Sequence, residues 1–147
     1  MSGQRDPGPQ LSRRLAYLLK RAFFELERLH EQHLTPVGVD ARELALLLFL
    51  DGRDPSSQQD AARRLGVDRT TMVELLDALE HKGLVARLAD PSDRRRNVID
   101  LTGAGRAMLR DATRASDNAE RALLADFDDG EAAQLRLLLQ RIAANRP

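Results

Sequence analysis

The sequence predicts a mainly α-helical protein that carries one small β-hairpin. Apolar residues make up 42% of the chain and aromatic residues only 3%, so the core has to consist of aliphatic side chains, of which Leu and Ala favour helices. Apolar positions recur at helical spacing in six segments. Only the short runs 84–89 and 98–101 have the composition of strands, and an Asp-Pro loop separates them. A chain of 147 residues fits one compact domain with an extension for assembly.

Two helices are predicted in the N-terminal part of the chain. Residues 1–10 are rich in Pro and Gly and are expected to form a flexible N-terminus. Sustained apolar spacing predicts a long amphipathic helix over 10–33, which Pro36 and Gly38 end. An Asp followed three residues later by a Glu is a capping box, and it begins a second, mostly buried helix over 41–51.

Two further helices follow, over 58–65 and 69–82. Ser57 and Asp68 can cap their N-termini, and Gly66 suits the left-handed turn between them. The inward positions of the second helix are Met72, Leu75, Leu76 and Leu79. This arrangement is typical of a helix-turn-helix, whose first helix braces a second one that enters the major groove of DNA. A plain αα-hairpin fits the same pattern, and the two helices alone leave both interpretations open.

The predicted hairpin favours the DNA-binding interpretation. Its loop, 90–96, contains three consecutive arginines, which place concentrated positive charge at a projecting tip. Arginine side chains at such a tip can enter the minor groove and read its width and negative potential. Helix, helix and hairpin in this order predict a winged helix-turn-helix.

The terminal helices predict a homodimer. The first helix and the helix predicted over 129–144 carry more apolar surface than one small winged domain covers. The Ala-lined helix over 103–125 permits close backbone approach. Two copies of a helix-turn-helix are also the usual way to read a DNA site. The predicted regions are the flexible N-terminus (1–10), a winged helix-turn-helix DNA-binding domain (40–102) and a helical dimerisation region (11–35 and 103–147).

Several classes of protein are disfavoured. The chain has no Cys, which excludes disulfides, cysteinyl zinc sites and thiol switches. It shows neither a signal peptide nor an apolar run long enough for a membrane, so a cytoplasmic location is expected. Neither a phosphate-binding loop nor a nucleophile elbow is present, so neither an enzyme nor a cofactor is expected. Glu27, His30 and His33 could share a metal geometrically, but a His near a helix C-terminus favours the helix dipole, and a metal is not expected.

Four motifs within residues 58–109 carry a family resemblance: LGVDRTT, LEHKGLV, DPSDRRR and LTGAG. In sequence and spacing they resemble the MarR (multiple-antibiotic-resistance regulator) family, and the flanking helices also suit that family. The resemblance implies a triangular homodimer joined by the first, fifth and sixth helices. It also implies a palindromic operator in double-stranded DNA, from which a small ligand releases the protein.

The resemblance also implies roles for individual residues. The recognition helix begins at Arg69, and Thr70 and Thr71 lie near phosphates and base edges. Arg95 enters the minor groove, and its neighbours Arg94 and Arg96 contact the DNA backbone. Asp93 holds the wing tip by pairing with a nearby arginine. Together with the outward positions of both helices, the expected DNA-binding residues are Gln58, Arg63, Arg69, Thr70, Thr71, Val73, Glu74, Arg94, Arg95 and Arg96.

One feature of the recognition helix departs from the family. Where relatives often have a polar-basic pair, this chain has Val73 and Glu74, and Asp77 follows on the same face. Two carboxylates would repel phosphates unless Glu accepts from a cytosine amino group. We therefore expect an unusually salt-sensitive complex. The zero net charge leaves one alternative open, a winged-helix module that binds protein partners and has weak or no affinity for DNA.

The expected effector is a small phenolic or lipophilic compound. In the family, ligands lie between the dimer helices and the winged domain. Here the helices near 15–30, 44–50 and 104–112 would line such a cleft with apolar side chains.

Overall fold

The computed structural model describes residues 6–145. Within them the elements, in chain order, are α1 (Leu15–Leu34), α2 (Ala41–Leu50), β1 (Ser56–Ser57), α3 (Gln58–Leu65), α4 (Arg69–His81), β2 (Val85–Ala89), β3 (Asn97–Leu101), α5 (Gly103–Leu123) and α6 (Asp129–Ala144). The predicted mainly α-helical fold with a hairpin is confirmed. The first half of the predicted flexible N-terminus, 1–5, and the last two residues of the predicted dimerisation region, 146–147, lie outside the described residues.

The predicted helix boundaries agree closely with the structure, except at the start of α1. The chain first makes a 3-10 turn over Leu11–Arg13 and passes through an extended Arg14 before α1 begins at Leu15. The predicted caps are present at the other helices. The side chains of Ser57, Asp68 and Thr102 each accept a hydrogen bond from the backbone three residues ahead, and capping boxes begin α2 and α6.

The sheet contains one strand that the sequence analysis missed. Strands β2 and β3 pair antiparallel as the predicted hairpin, with Val85 opposite Leu101 and Ala89 opposite Asn97. The short strand β1 pairs with the other edge of β3, giving the order β1-β3-β2. Because β1 consists of two serines, it has no apolar alternation from which a strand could be predicted.

The hydrophobic core lies where α2, α4 and α5 meet the sheet and the end of α1. All four predicted inward positions of α4 are buried, as predicted. The largest completely buried side chains are Leu34, Leu46, Leu47, Met72, Leu76, Leu79 and Ile99. Most of them are aliphatic, so dense packing and not aromatic bulk stabilises this part of the molecule.

The terminal helices leave large apolar side chains uncovered. Leu15 and Phe23 of α1 are 74% and 56% exposed, and Leu137 and Ile142 of α6 are 58% and 62% exposed. Within the described residues α6 has no buried side chain. Contiguous exposed apolar surface of this kind marks an interaction face. No helix in the described part of the chain is both long and apolar enough to cross a membrane.

The end of the recognition helix, the base of the wing and the start of α5 pack closely together at one junction. The hydroxyl of Thr102 donates to the carbonyl of Gly83 at 2.6 Å and accepts from the backbone N–H of Gly105 at 3.0 Å. A Cβ on Gly105 would overlap the carbonyl oxygen of Leu84. The LTGAG motif therefore fixes the base of the wing against the start of α5, and only glycine allows the close approach.

Candidate nucleic-acid interface

The recognition helix α4 has a buried side and an exposed side. Its N-terminus is capped by Asp68, whose carboxylate accepts from the backbone N–H of Thr71 at 2.7 Å. This hydrogen bond, more than any other interaction, lowers the pKa of Asp68. Arg69, Thr70 and Glu74 are exposed, as predicted, whereas Thr71 and Val73 are half-buried. The first two turns of α4 thus present a mixed polar surface to solvent.

The wing tip is held by aspartates that accept hydrogen bonds from nearby groups. The carboxylate of Asp90 accepts from the hydroxyl of Ser92 at 2.7 Å and from its backbone N–H at 2.9 Å. The backbone N–H of Asp90 also donates to the carbonyl of Arg96 at 2.9 Å and closes the loop. The contacts with Ser92 lower the pKa of Asp90. The turn is therefore ordered by local bonds before any partner is present.

The predicted pairing of Asp93 with an arginine side chain is wrong within the described residues. The Asp93 carboxylate instead accepts from the backbone N–H of Arg95 at 3.0 Å. An aspartate two residues before a turn N–H commonly bonds in this way. Because Asp93 uses the backbone, it stabilises the tip and leaves the guanidinium groups available.

The three arginines of the wing, Arg94, Arg95 and Arg96, all face solvent. In the part of the chain that the structure describes, no carboxylate lies within 4.0 Å of any of them, nor of Arg69. These guanidinium groups are thus available to bind anions, and arginine is the side chain best suited to phosphate.

A cleft of about 490 Å³ brings the recognition helix and the wing together. It is lined by Ser57, Gln58, Gln59, Ala62, Arg69, Met72, Arg95, Arg96 and Asn97. Four predicted site residues therefore meet in one place although 38 positions separate the first from the last (58 and 96). Arg94 and the α4 residues Thr70, Thr71, Val73 and Glu74 are not among the lining residues.

A second cleft, of about 590 Å³, adjoins the first and shares Ser57, Gln59 and Arg96 with it. It contains Arg63, the remaining predicted residue, whose guanidinium lies 2.7 Å from the carboxylate of Asp60. Arg64 contacts the same carboxylate at 3.2 Å, and the two arginines lower the pKa of Asp60, Arg63 having the larger effect. The Arg63 side chain remains 78% exposed, so the ion pair does not remove it from the surface.

Arg53, Gln59 and Asn97 are among the cleft residues that were not predicted from the sequence. Strand β1 explains this, because its pairing with β3 brings the segment after α2 beside the wing. Gln59 could have been found, since it lies on the same short helix as Gln58. Arg53 and Asn97 depend on tertiary pairing that a two-residue strand does not reveal.

The acidic residues at the end of α4 are held by an arginine of the wing. Arg87 on β2 lies 2.7 Å from the carboxylate of Asp77 and 3.1 Å from that of Glu80. Its contact with Asp77 contributes most to the raised pKa of Arg87. The expectation that Asp77 faces phosphates as a free carboxylate is therefore wrong, because Asp77 is already paired with Arg87. Glu74 has neither an ion pair nor a side-chain hydrogen bond within the described residues.

An ion pair between the exposed Lys82 and the buried Glu43 anchors the other end of the recognition helix. Lys82, directly after α4, donates to both carboxylate oxygens of Glu43, at 3.0 and 2.8 Å, and to the carbonyl of Gly38 at 2.9 Å. The Glu43 carboxylate also caps α2, and its residue is only 5% exposed. Without Lys82 the buried Glu43 carboxylate would have no cation beside it, which is costly. The contact therefore ties α4 to the segment that joins α1 to α2, residues 35–40, here called the joint.

The joint between α1 and α2 also borders a cleft of about 670 Å³. Most of its lining residues are polar or charged, whereas the effector cleft predicted from the sequence has an apolar lining. Of the three predicted lining segments, only 15–30 contributes to this cleft. Its lining residues are Glu27, Arg28, His30, Glu31, Leu34, Thr35, Val39, Asp40, Ala41 and Arg42.

The histidines at this end of α1 bond within the protein. His30 Nε2 lies 3.1 Å from the hydroxyl of Ser116 on α5, and His33 donates from Nδ1 to the carbonyl of Leu29 at 2.8 Å. Partial burial lowers the pKa of His30, which favours its neutral form. The described residues include no cluster of three or more metal-ligating side chains that could hold a metal.

Known proteins share this architecture over nearly the whole chain. The structure superposes on that of the transcriptional repressor CouR bound to a 23-mer DNA duplex, with a TM-score of 0.87 and 33% identity over 95% of this chain and 99% of CouR. A structure of CouR from Rhodococcus jostii RHA1 bound to p-coumaroyl-CoA gives a TM-score of 0.78 and 32% identity, over 93% of this chain and 96% of that one.

Sequence comparison also finds transcriptional regulators. The HTH-type transcriptional regulator YdgJ of Bacillus subtilis is 29% identical over 109 residues, which are 74% of this chain. The match spans 65% of the length of YdgJ, slightly less than two thirds of that relative. The family model described as MarR family matches residues 37–96, which run from the joint before α2 to the wing. The chain belongs to the MarR family of transcriptional regulators.

Proposed function

We propose that this protein is a homodimeric transcriptional regulator that binds a palindromic operator in double-stranded DNA. The observation that carries the proposal is the convergence of Arg69, Arg95 and Arg96 on one cleft between α4 and the wing, without a carboxylate partner in the described residues. Positive charge left uncompensated on a protein of zero net charge indicates an anionic partner. A capped helix beside it has the shape that fits a major groove.

Different residues of the interface are assigned to the bases, to the minor groove and to the DNA backbone. Thr70, Val73 and Glu74 lie on α4, which enters the major groove, and are placed toward base edges. Arg95 enters the minor groove from the wing. The remaining candidates are placed toward the DNA backbone: Gln58, Arg63, Arg69, Thr71, Arg94 and Arg96. Asp93 keeps the wing tip in shape through the backbone N–H of Arg95.

Dimerisation uses the uncovered faces of the terminal helices. The exposed leucines and phenylalanines of α1 and the exposed leucines of α6 would be buried against a second copy. Residues 40–102 then form the DNA-binding domain, and residues 11–35 with 103–147 form the dimerisation region. Two domains in a fixed relation present two recognition helices to successive turns of DNA.

A small aromatic ligand is the proposed effector. CouR, which is similar to this chain over most of its length, has been solved bound to p-coumaroyl-CoA. We place a phenolic ligand in the cleft between α1 and α2, where Leu34, Val39 and Ala41 offer apolar contacts and the charged residues offer polar ones. The cleft residue Asp40 bonds to Glu43, the partner of Lys82. Ligand binding would shift α4 and release DNA, so the protein acts as a cytoplasmic repressor. The proposal involves neither an enzymatic activity nor a cofactor.

The proposal is tested by selecting genomic DNA fragments that the purified protein retains. The expected result is a palindromic sequence that shifts in a mobility assay and is bound by two protomers, as measured by analytical ultracentrifugation. Retention of no fragment at low salt would overturn DNA binding. A monomer at micromolar concentration would overturn the dimer. p-Coumaroyl-CoA is the first effector to add, and simple phenolic acids are the next.

A further inference from the structure

Glu74 differs from every other carboxylate of the recognition helix and its cap. Asp68 is used as the N-cap, and Asp77 and Glu80 are held by Arg87. Glu74 is exposed and has no ion pair or side-chain hydrogen bond within the described residues. Among the described residues Glu74 is thus the one carboxylate of α4 that no arginine contacts, and it lies at the middle of the helix.

The position of Glu74 points it away from the core. Successive residues of an α-helix are rotated by about 100°, so the side chain at 74 projects almost opposite to Met72 and Leu76. Both of these residues are completely buried. Thr70, one turn earlier, shares the outward face with Glu74. If α4 enters the major groove, the Glu74 carboxylate lies on the face that is turned towards the bases.

A carboxylate in that place needs a hydrogen-bond donor. It loses hydration on entering the groove, and an unpaired buried charge is costly. In the major groove only the amino groups of cytosine and adenine donate. The adenine amino group lies beside the N7 acceptor, which would repel a carboxylate, whereas cytosine presents its N4 donor without an acceptor on the same base.

We propose that Glu74 selects a cytosine in each half-site of the operator by accepting a hydrogen bond from its N4 amino group. This inference rests on the proposed DNA-binding function and adds a base and a residue to it. It assigns the choice of one base pair to Glu74, while the free arginines bind without regard to that base.

The test compares the DNA sequences that wild type, Glu74→Gln and Glu74→Ala select from a randomised duplex library. Wild type is expected to require cytosine at one position of each half-site, and replacing that cytosine should weaken binding about tenfold per half-site. Glu74→Gln should move the preference at that position to adenine, which glutamine contacts through N6 and N7. Glu74→Ala should lose the preference there and keep it elsewhere. Asp111→Asn removes the same charge from an exposed position of α5, outside the described clefts, and should leave the selected sequence unchanged.

Two results would overturn the inference in different ways. If both Glu74 variants bind every duplex more tightly by one common factor, with unchanged base preference, Glu74 only repels phosphates. If wild type selects no DNA at all, the proposed function itself fails. Because Glu74 is exposed and makes no ion pair or side-chain hydrogen bond within the described residues, its variants should unfold at the wild-type temperature, and circular dichroism checks this.

Discussion

The recognition helix and the wing border one cleft, yet they carry their charge in opposite ways. The acidic groups of α4 are largely used inside the protein, as an N-cap and as partners of Arg87. The arginines at 94–96 have no partner in the described residues, and local turn bonds leave them pointing into solvent. The helix thus presents mostly paired carboxylates, and the wing tip presents unpaired guanidinium groups.

This difference explains how a protein of zero net charge can bind DNA. Phosphate contacts supply affinity without sequence information, whereas base contacts supply choice. The wing concentrates the positive charge that affinity needs. The helix can then carry a carboxylate at Glu74, because it does not have to attract DNA by itself. Affinity and choice are therefore separable by mutation.

The largest effect is expected from Arg95→Ala. Both wings of the dimer lose their minor-groove contact, so operator affinity should fall by about a hundredfold or more. A mobility-shift titration measures it. Arg114, exposed on α5 and outside both clefts, provides the matched control, and Arg114→Ala should bind like wild type. Unchanged affinity of the Arg95 variant would remove the wing from the interface.

The next effect tests whether wing and helix act as one rigid unit. In Gly105→Ala the new Cβ would overlap the carbonyl of Leu84, and such overpacking typically costs about 1–3 kcal/mol of unfolding free energy. Because the junction joins α4, the wing and α5, DNA affinity should fall together with thermal stability. The control Gly103→Ala adds a Cβ into open space and should change neither. A Gly105→Ala variant as stable as wild type would contradict the close packing of Gly105 against the carbonyl of Leu84.

These features differ in how far the sequence predicts them. Helix caps and the Gly66 turn depend on residues within four positions of each other, and they were predicted correctly. The same holds for the run of arginines on its loop. The contact between Arg87 and Asp77 spans ten positions and two elements, and its geometry exists only after β2 packs on α4. Strand β1 was missed for the same reason, since its partners on β3 lie 41 and 43 positions further along the chain (57 to 98 and 56 to 99).

A smaller effect is expected from Arg87→Gln, which removes the ion pairs that hold Asp77 and Glu80. Asp77 and Glu80 would then face the DNA as free carboxylates, and their repulsion of phosphates should weaken binding roughly tenfold at low salt. The weakening should shrink as salt is added, since salt screens exposed charges. Fluorescence anisotropy at two salt concentrations measures both. If Arg87→Gln binds as tightly as wild type, the ion pairs do not shield the helix.

The smallest effect concerns pH at the wing tip. The pKa of Asp90 is lowered in the folded protein, so its bonds stabilise the turn above its ordinary pKa and are lost as pH falls through the lowered value. The amide signal of Ser92 in NMR spectra should stay constant down to the ordinary range of aspartate and change only below it. Asp90→Asn should abolish that transition. A change centred at the ordinary aspartate pKa would show that the turn does not depend on these bonds.

The salt dependence of operator binding tests whether the wing supplies the phosphate contacts while the helix chooses the bases. Removing one phosphate contact should reduce the slope of log K against log salt by about 0.9. Arg94→Ala with Arg96→Ala removes two proposed backbone contacts from each protomer, so the slope of the dimer should become shallower by roughly 3 to 4. The preferred sequence should stay the same. A slope equal to that of wild type would show that the wing does not bind phosphates and would contradict this division.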